Sequence, residues 1–180
     1  MSTELPERNF SLNLRGCHVT IVASTYNEKF TDALVENCTA ELAQVAPLLD
    51  VDVVRVPGAF EVPMMVKHVI ETPLRQGRPS AVIALGVILR GSTAHADLIG
   101  TAITEKLLDL SVDYMLPVIH EVLLLDSEEQ AFARCIAAAL NRGREAARAA
   151  VRMIEVQADL ESQSHLAARS NRVNPTGSHF

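Results

Sequence analysis

Residues 80–86 form a short apolar run, Ser-Ala-Val-Ile-Ala-Leu-Gly, that has no polar side and ends in a glycine. The run is too short for a helix, so it predicts a strand that is covered on both faces. Strands covered on both faces are typical of parallel sheets, because the helices of the crossover connections pack against each side. The run therefore points to an α/β fold.

The rest of the chain alternates predicted strands with predicted helices. Strands are expected at 17–24, 51–56, 81–86 and 116–124, and helices at 28–46, 61–70, 94–110, 126–140 and 144–158. This order predicts a three-layer α/β/α architecture, with a four-stranded parallel sheet and right-handed crossovers. The second strand alternates valine with aspartate or arginine, which favours a position near a sheet edge.

The composition fits one globular domain and excludes several classes of function. The chain has 180 residues, of which 48% are hydrophobic, and a formal net charge of −6 without a basic block, so nucleic acid and anionic membranes are unexpected partners. Its three cysteines are too scattered for a disulfide framework or a thiolate metal site. No stretch has the length of a membrane span or the pattern of a signal peptide. We expect a cytoplasmic protein with an arm at 1–15, a domain at 16–158 and a polar, mobile tail at 159–180.

Unusual residues occur where the four predicted strands end. Ligands of parallel α/β proteins bind beyond the carboxyl ends of the strands, so these segments predict a single site. The segments are Thr25-Tyr26-Asn27, Pro57-Gly58-Ala59-Phe60-Glu61, 86–95 and His120-Glu121.

The turn after the third strand carries Gly91, Ser92, Thr93 and, slightly later, His95. Backbone N–H groups and the positive end of a helix dipole favour an anion at such a turn. The same dipole favours a neutral imidazole at His95, which suits proton exchange. Two simpler interpretations stay open: the hydroxyl residues could cap the helix, and the histidine could be structural.

Several longer motifs closely resemble the 6,7-dimethyl-8-ribityllumazine synthase family of riboflavin biosynthesis. The resemblance covers about residues 16–156 and implies a flavodoxin-like fold. The matching motifs are Val-Pro-Gly-Ala-Phe-Glu-Val-Pro at 56–63, Ala-Leu-Gly-Val-Ile-Leu-Arg-Gly-Ser-Thr-Ala-His at 84–95, Glu-Gln-Ala at 129–131 with Arg134, and Asn-Arg-Gly-Arg-Glu-Ala-Ala at 141–147.

The resemblance implies a transferase that condenses 5-amino-6-(D-ribitylamino)uracil with 3,4-dihydroxy-2-butanone 4-phosphate. Phosphate and water would be released, and neither a metal nor an organic cofactor would be needed. Imine formation, loss of phosphate and ring closure all move protons, so one base can serve several steps. The resemblance assigns that role to His95, and it assigns the phosphate to Ser92, Thr93 and Arg134.

The resemblance also assigns a pyrimidine site, in which an aromatic ring stacks on the substrate and Glu61 accepts hydrogen bonds from its hydroxyl groups. Without the resemblance, a charge in the first turn of a helix would be the favoured interpretation of Glu61. The residues assigned to this site are Tyr26, Ala59, Phe60, Glu61, Val87, Ile88, Leu89 and His120.

Some positions depart from the family pattern. Tyr26 and His120 stand where phenylalanine is usual, so His120 brings a ring with a reference pKa of about 6.5 into the pocket. A leucine run at 123–125 replaces a threonine-rich one, and Arg142 replaces a frequent lysine.

The family resemblance further implies a homo-oligomer. Pentamers would place each active site between neighbouring subunits, and a 60-mer of twelve pentamers would form an icosahedral capsid. Riboflavin synthase is a candidate partner. The alternatives to an enzyme are a shell-forming protein, or a flavin- or lumazine-binding protein without turnover.

Overall fold

The computed structural model describes residues 7, 14–72 and 77–173, with side chains described as far as 164. Most of the predicted arm at 1–15 and the end of the predicted tail at 174–180 lie outside the described residues. The strands are β1 (His18–Ser24), β2 (Asp50–Val56), β3 (Ala81–Leu89) and β4 (Val118–Leu125). The helices are α1 (Glu28–Val45), α2 (Val62–Glu71), α3 (His95–Tyr114), α4 (Glu128–Ala131) and α5 (Arg142–Val173), with a 3-10 turn at Ala59–Glu61 and a π-helical turn at Phe132–Ile136.

The four strands form one parallel sheet in the order β2-β1-β3-β4. In the register of the sheet, Ile21 lies between Val53 and Ile83. The polar alternation of 51–56 correctly predicted an edge position for β2. All strands point the same way, so their carboxyl ends share one edge of the sheet.

Helices cover both faces of the sheet and bury two apolar layers. Leu34 and Leu42 of α1 pack with Ala147 and Ala150 of α5 on one side, whereas α2 and α3 contribute the helical part of the other layer. Gly143 permits the close contact between α1 and α5, because a Cβ there would lie 2.3 Å from the carbonyl oxygen of Leu34. The predicted three-layer α/β/α fold is confirmed.

Several element boundaries differ from those predicted. β3 continues past Gly86 to Leu89, because the leucines at 123–125 of β4 supply its pairing partners. The helix expected at 126–140 ends after one short helix and a π-helical turn. There, Asn141 Nδ2 donates a 2.7 Å hydrogen bond to the Cys135 carbonyl. In a continuous helix, that carbonyl would accept a hydrogen bond from a backbone N–H of the next turn.

The last helix extends well past 158, where the sequence interpretation ended it. α5 runs to Val173, because residues 159–173 contain no proline or glycine and are rich in good helix formers. Polar composition alone does not stop a helix. Among the described residues, no helix is long and apolar enough to span a membrane.

Candidate active site

Asn27 ties the carboxyl end of β1 to the carboxyl end of β3. Its backbone is left-handed, with φ of 58°, a conformation that asparagine tolerates better than most residues. From this position, Nδ2 donates a 2.7 Å hydrogen bond to the carbonyl oxygen of Val87. The segment around Tyr26 is thereby fixed against β3.

Tyr26 and Glu61 are both positioned by the turn after β2. The Tyr26 N–H donates to the Pro57 carbonyl at 3.0 Å, and its exposed ring packs so closely on Gly58 that a Cβ there would lie 3.3 Å from two ring atoms. Glu61 Oε2 accepts a 2.8 Å hydrogen bond from the Gly58 N–H. This contact gives Glu61 a role in closing the turn at the start of the helix, as in the simpler interpretation of its position.

Gly86 brings the backbone of β3 close to the turn after β2. A Cβ at Gly86 would lie 3.1 Å from Ser24 Oγ, 3.2 Å from Val122 Cγ1 and 3.6 Å from Ala59 Cβ. The glycine therefore serves close packing within a strand and does not end it. Val87, Ile88 and Leu89 form the carboxyl end of β3, and Ile88 packs in the same apolar layer as Ala59.

The loop between β3 and α3 holds Ser92 and Thr93 at the surface, and His95 at the start of α3 is exposed as well. Ala94 is the N-cap residue of α3, and no side chain in the described part of the chain caps that helix. The two hydroxyl residues are therefore not helix caps, which removes the simpler interpretation given above. His95 is the first residue of α3, where backbone N–H groups have no partner within the helix.

Arg90 holds this loop against the end of β4. Its Nη2 lies 2.6 Å from Asp97 Oδ1, and its Nη1 lies 2.9 Å from Asp126 Oδ1. The Arg90 N–H also donates to the Leu125 carbonyl at 2.8 Å. Asp97 is thus an ion-pair partner of Arg90 that anchors the first turn of α3.

A cavity of about 430 Å³ lies along the exposed edge of β4. It is bounded by one residue of α3, by β4, by the π-helical turn and by the start of α5. The lining residues are Thr104, His120, Glu121, Val122, Leu123, Leu124, Leu125, Arg134, Arg142 and Glu145. We call this space the β4 cavity.

Charged side chains in the β4 cavity perturb one another. Burial, reinforced by the charge of Glu145, raises the pKa of Glu121 to about 7, although Arg142 and Arg134 act in the opposite direction. Arg142 forms an ion pair with Glu145. Arg134 Nη1 is buried and has no hydrogen-bond acceptor among the described residues.

His120 is held in a defined ring orientation. Its Nδ1 accepts a 3.1 Å hydrogen bond from the Val122 N–H, and its Nε2 lies 2.9 Å from Thr104 Oγ1. Nδ1 therefore carries no proton, and a neutral ring donates from Nε2 to the threonine. Burial lowers the pKa of His120, which further favours the neutral form.

Comparison with known proteins identifies the family. Residues 16–158 match the family 6,7-dimethyl-8-ribityllumazine synthase. The chain belongs to the lumazine synthase family. Among similar proteins, the 6,7-dimethyl-8-ribityllumazine synthase of Nitrobacter hamburgensis is 35% identical over 146 residues, which are 81% of this chain and 88% of that relative. The protein with the same name from Chlorobium phaeobacteroides is 37% identical over 147 residues, which are 81% of this chain and 92% of that relative. The one from Ralstonia pickettii is 35% identical over 157 residues, which are 86% of this chain and 90% of that relative.

The residues assigned by the lumazine synthase resemblance fall into two groups. Tyr26, Ala59, Glu61 and Val87 meet at the carboxyl ends of β1, β2 and β3 through the contacts described above. Phe60 lies beside them but also lines a groove with Met64 and Lys67 of α2 and Lys106 of α3.

His120 and Arg134 belong to the second group, because both line the β4 cavity. None of the other assigned site residues lines that cavity. His120 and Glu121 lie inside β4, so their interpretation as a strand end was wrong. The described chain thus presents two separate parts of the site that the lumazine synthase resemblance implies.

Three polar residues of this lumazine synthase fold lie in the strand-end segments that predicted a site, but the sequence assigned no role to them. Asn27 and Arg90 act through contacts between distant segments, which a local pattern does not reveal. Glu121 did carry a signal, because a carboxylate interrupts an otherwise apolar strand. Among the described residues, no group of three side chains could hold a metal ion.

Proposed function

We propose that this chain condenses 5-amino-6-(D-ribitylamino)uracil with 3,4-dihydroxy-2-butanone 4-phosphate to give 6,7-dimethyl-8-ribityllumazine, phosphate and water. The observation that carries the proposal is the family match over 16–158, together with His95 at an uncapped helix start. That placement supports His95 as the proton-transfer group, since its ring is exposed to a bound substrate.

The substrates would be held by complementary chemistry at the two groups of residues. The Tyr26 ring is exposed and backed by Gly58, which supports stacking on the pyrimidine. Ala59, Phe60, Glu61 and the segment 87–89 would surround the ring and its ribityl chain. Ser92, Thr93 and Arg134 would bind the phosphate of the second substrate, because hydroxyl, backbone N–H and guanidinium donors all suit that anion.

Neighbouring subunits would join the two groups into one site. His120 and Arg134 line a cavity apart from the other residues, so a partner copy would bring its β4 cavity to the Tyr26 and His95 side. Exposed apolar side chains on the 3-10 turn at Ala59–Glu61, on α2 and on α3 support such an interface. They include Phe60, Met64, Leu98, Leu108 and Val112.

We further propose a pentamer, with a 60-mer of twelve pentamers as the larger assembly and riboflavin synthase as the partner that uses the product. A cytoplasmic location fits the free thiols of Cys17, Cys38 and Cys135. Sedimentation near neutral pH separates the two assemblies. Free pentamers alone would refute the capsid and leave the enzymatic proposal standing.

Mixing both substrates with the purified protein tests the function directly. We expect lumazine absorbance to appear together with phosphate in equal amounts, and the rate to collapse in His95→Ala. A correctly assembled protein that binds the pyrimidine but releases no phosphate would be a binding protein without turnover. That result would refute the enzymatic proposal.

A further inference from the structure

Arg134 lines the β4 cavity and carries one hydrogen-bond donor that has no acceptor in the described part of the chain. Its Nη1 is buried and lacks an acceptor among the described residues, although buried polar groups are normally paired. A guanidinium cannot lose its charge to relieve this situation. An anion in the cavity would bind the part of the guanidinium that lines it and supply a charged acceptor for Arg134.

Glu121 is the carboxyl group that opposes such an anion. It lines the same cavity as Arg134, and its charge interacts with Arg134, Arg142 and Glu145. When Glu121 is ionised, its negative charge attracts the Arg134 guanidinium and so competes with an anion for that group. The same charge also repels the anion directly. When Glu121 is protonated, both obstacles are removed.

The other titratable groups around Glu121 are two buried thiols, one histidine and two ion-paired carboxylates. Burial raises the pKa of Cys38 on α1, and it raises the pKa of Cys135 in the π-helical turn to about 12, so both thiols stay neutral. Burial lowers the pKa of His120. Of the remaining groups, Glu145 is paired with Arg142 on α5, and Glu41 of α1 is paired with Arg148.

We propose that Glu121 takes up a proton when the phosphate group of a substrate binds against Arg134, and that it returns the proton when phosphate leaves. The proposal rests on the proposed function for the identity of the ligand. Ionised Glu121 would then compete with product phosphate for Arg134 and favour its release. Anion affinity should fall by up to about tenfold for each pH unit above the titration of Glu121.

Isothermal titration calorimetry with sodium sulfate tests the coupling in the assembled, full-length protein. Sulfate keeps its charge between pH 6 and 8.5, whereas inorganic phosphate itself titrates there. Titrations in two buffers with different protonation enthalpies give the number of protons taken up. We expect uptake to approach one proton per site at pH 8, and sulfate affinity to decline steadily from pH 6.5 to 8.5.

Glu121→Gln should bind sulfate with little proton uptake and with an affinity that varies less than threefold over the same range. Glu145→Gln tests whether the other carboxyl group of the cavity takes up the proton. This variant should retain the proton uptake of the wild type. Glu128→Gln is the matched control, since Glu128 is an exposed glutamate at the start of α4 and does not line the cavity. It should behave like the wild type.

The inference is overturned if the wild type binds no sulfate, if it binds sulfate without proton uptake, or if uptake persists in Glu121→Gln. The wild-type measurement can overturn the inference even if a variant fails to fold. Because sulfate binding needs no turnover, a protein that forms lumazine without coupled proton uptake would refute this inference alone. Coupled sulfate binding without lumazine formation would refute the proposed function alone.

Discussion

Asn27 donates its side-chain amide to the carbonyl oxygen of Val87 at 2.7 Å, and it does so from a left-handed backbone conformation. The bond crosses from the end of β1 to the end of β3. It therefore couples the position of the Tyr26 ring to the strand that forms the wall of the proposed pyrimidine site.

Asn27→Ala should lower both stability and activity. Loss of the hydrogen bond should lower the free energy of unfolding by about 1 kcal/mol. Alanine also tolerates the left-handed backbone conformation less well than asparagine, which should lower the free energy of unfolding by about 1 kcal/mol more. Asn27→Gly keeps the backbone conformation and should lose mainly the first contribution. Denaturant unfolding and the KM for the pyrimidine check this expectation, and an Asn27→Gly protein equal to the wild type in both would contradict it.

His95 and Arg134 should affect different kinetic constants. His95→Ala removes the proton-transfer group, so we expect kcat to fall by about 10²-fold or more with little change in pyrimidine binding. Arg134→Ala removes a charged donor to phosphate, so the KM for the butanone phosphate should rise by about tenfold or more. Steady-state kinetics with each substrate varied in turn test these roles. A KM effect in His95→Ala together with a kcat effect in Arg134→Ala would contradict them.

Replacement of His120 should change the acidic side of the activity profile. Because burial lowers the pKa of His120, the ring is neutral at pH 7 and becomes charged only below about pH 6.5, its reference value. We expect His120→Phe to flatten the fall in kcat/KM below that pH. Thr104→Val keeps the ring while removing its Nε2 partner and serves as the comparison. A profile identical to that of the wild type would mean that His120 provides only a stacking surface.

Glu121 should make the stability of the protein depend on pH. Its pKa is about 7 in the folded chain against an ordinary value of 4.5, so between these values the folded state holds more protons than the unfolded state. The contribution of Glu121 to the free energy of unfolding is therefore greatest below the ordinary pKa of 4.5, and it declines as the pH rises towards 7. The Tm advantage of Glu121→Gln over the wild type should grow by roughly 3 °C or more from pH 5 to pH 8.

Thermal unfolding of the assembled protein at several pH values measures this difference, with Glu128→Gln as the control. A Tm difference that is the same at pH 5 and pH 8 would show that Glu121 is already ionised in the folded protein at the lower pH.

Local patterns in the sequence were sufficient for the fold, because each strand is apolar enough and each helix periodic enough to specify its own structure. The predicted ends of helices and strands were wrong where a contact between distant segments determines the end. The bond from Asn141 to Cys135 ends a helix, and the pairing with β4 extends β3 past Gly86. The ion pairs of Arg90 depend on three segments meeting, which no single segment reveals.

Arg134 lines the β4 cavity and His95 does not, which has a consequence for mixtures of chains. If each site takes His95 from one subunit and Arg134 from its neighbour, a defect in either residue damages a different half of the shared site. Chains carrying His95→Ala and chains carrying Arg134→Ala, each impaired when the butanone phosphate is scarce, would complement one another when assembled together. Random mixing of equal amounts would leave about one quarter of the sites with both residues intact, so at low butanone phosphate the mixture would be more active than either preparation alone.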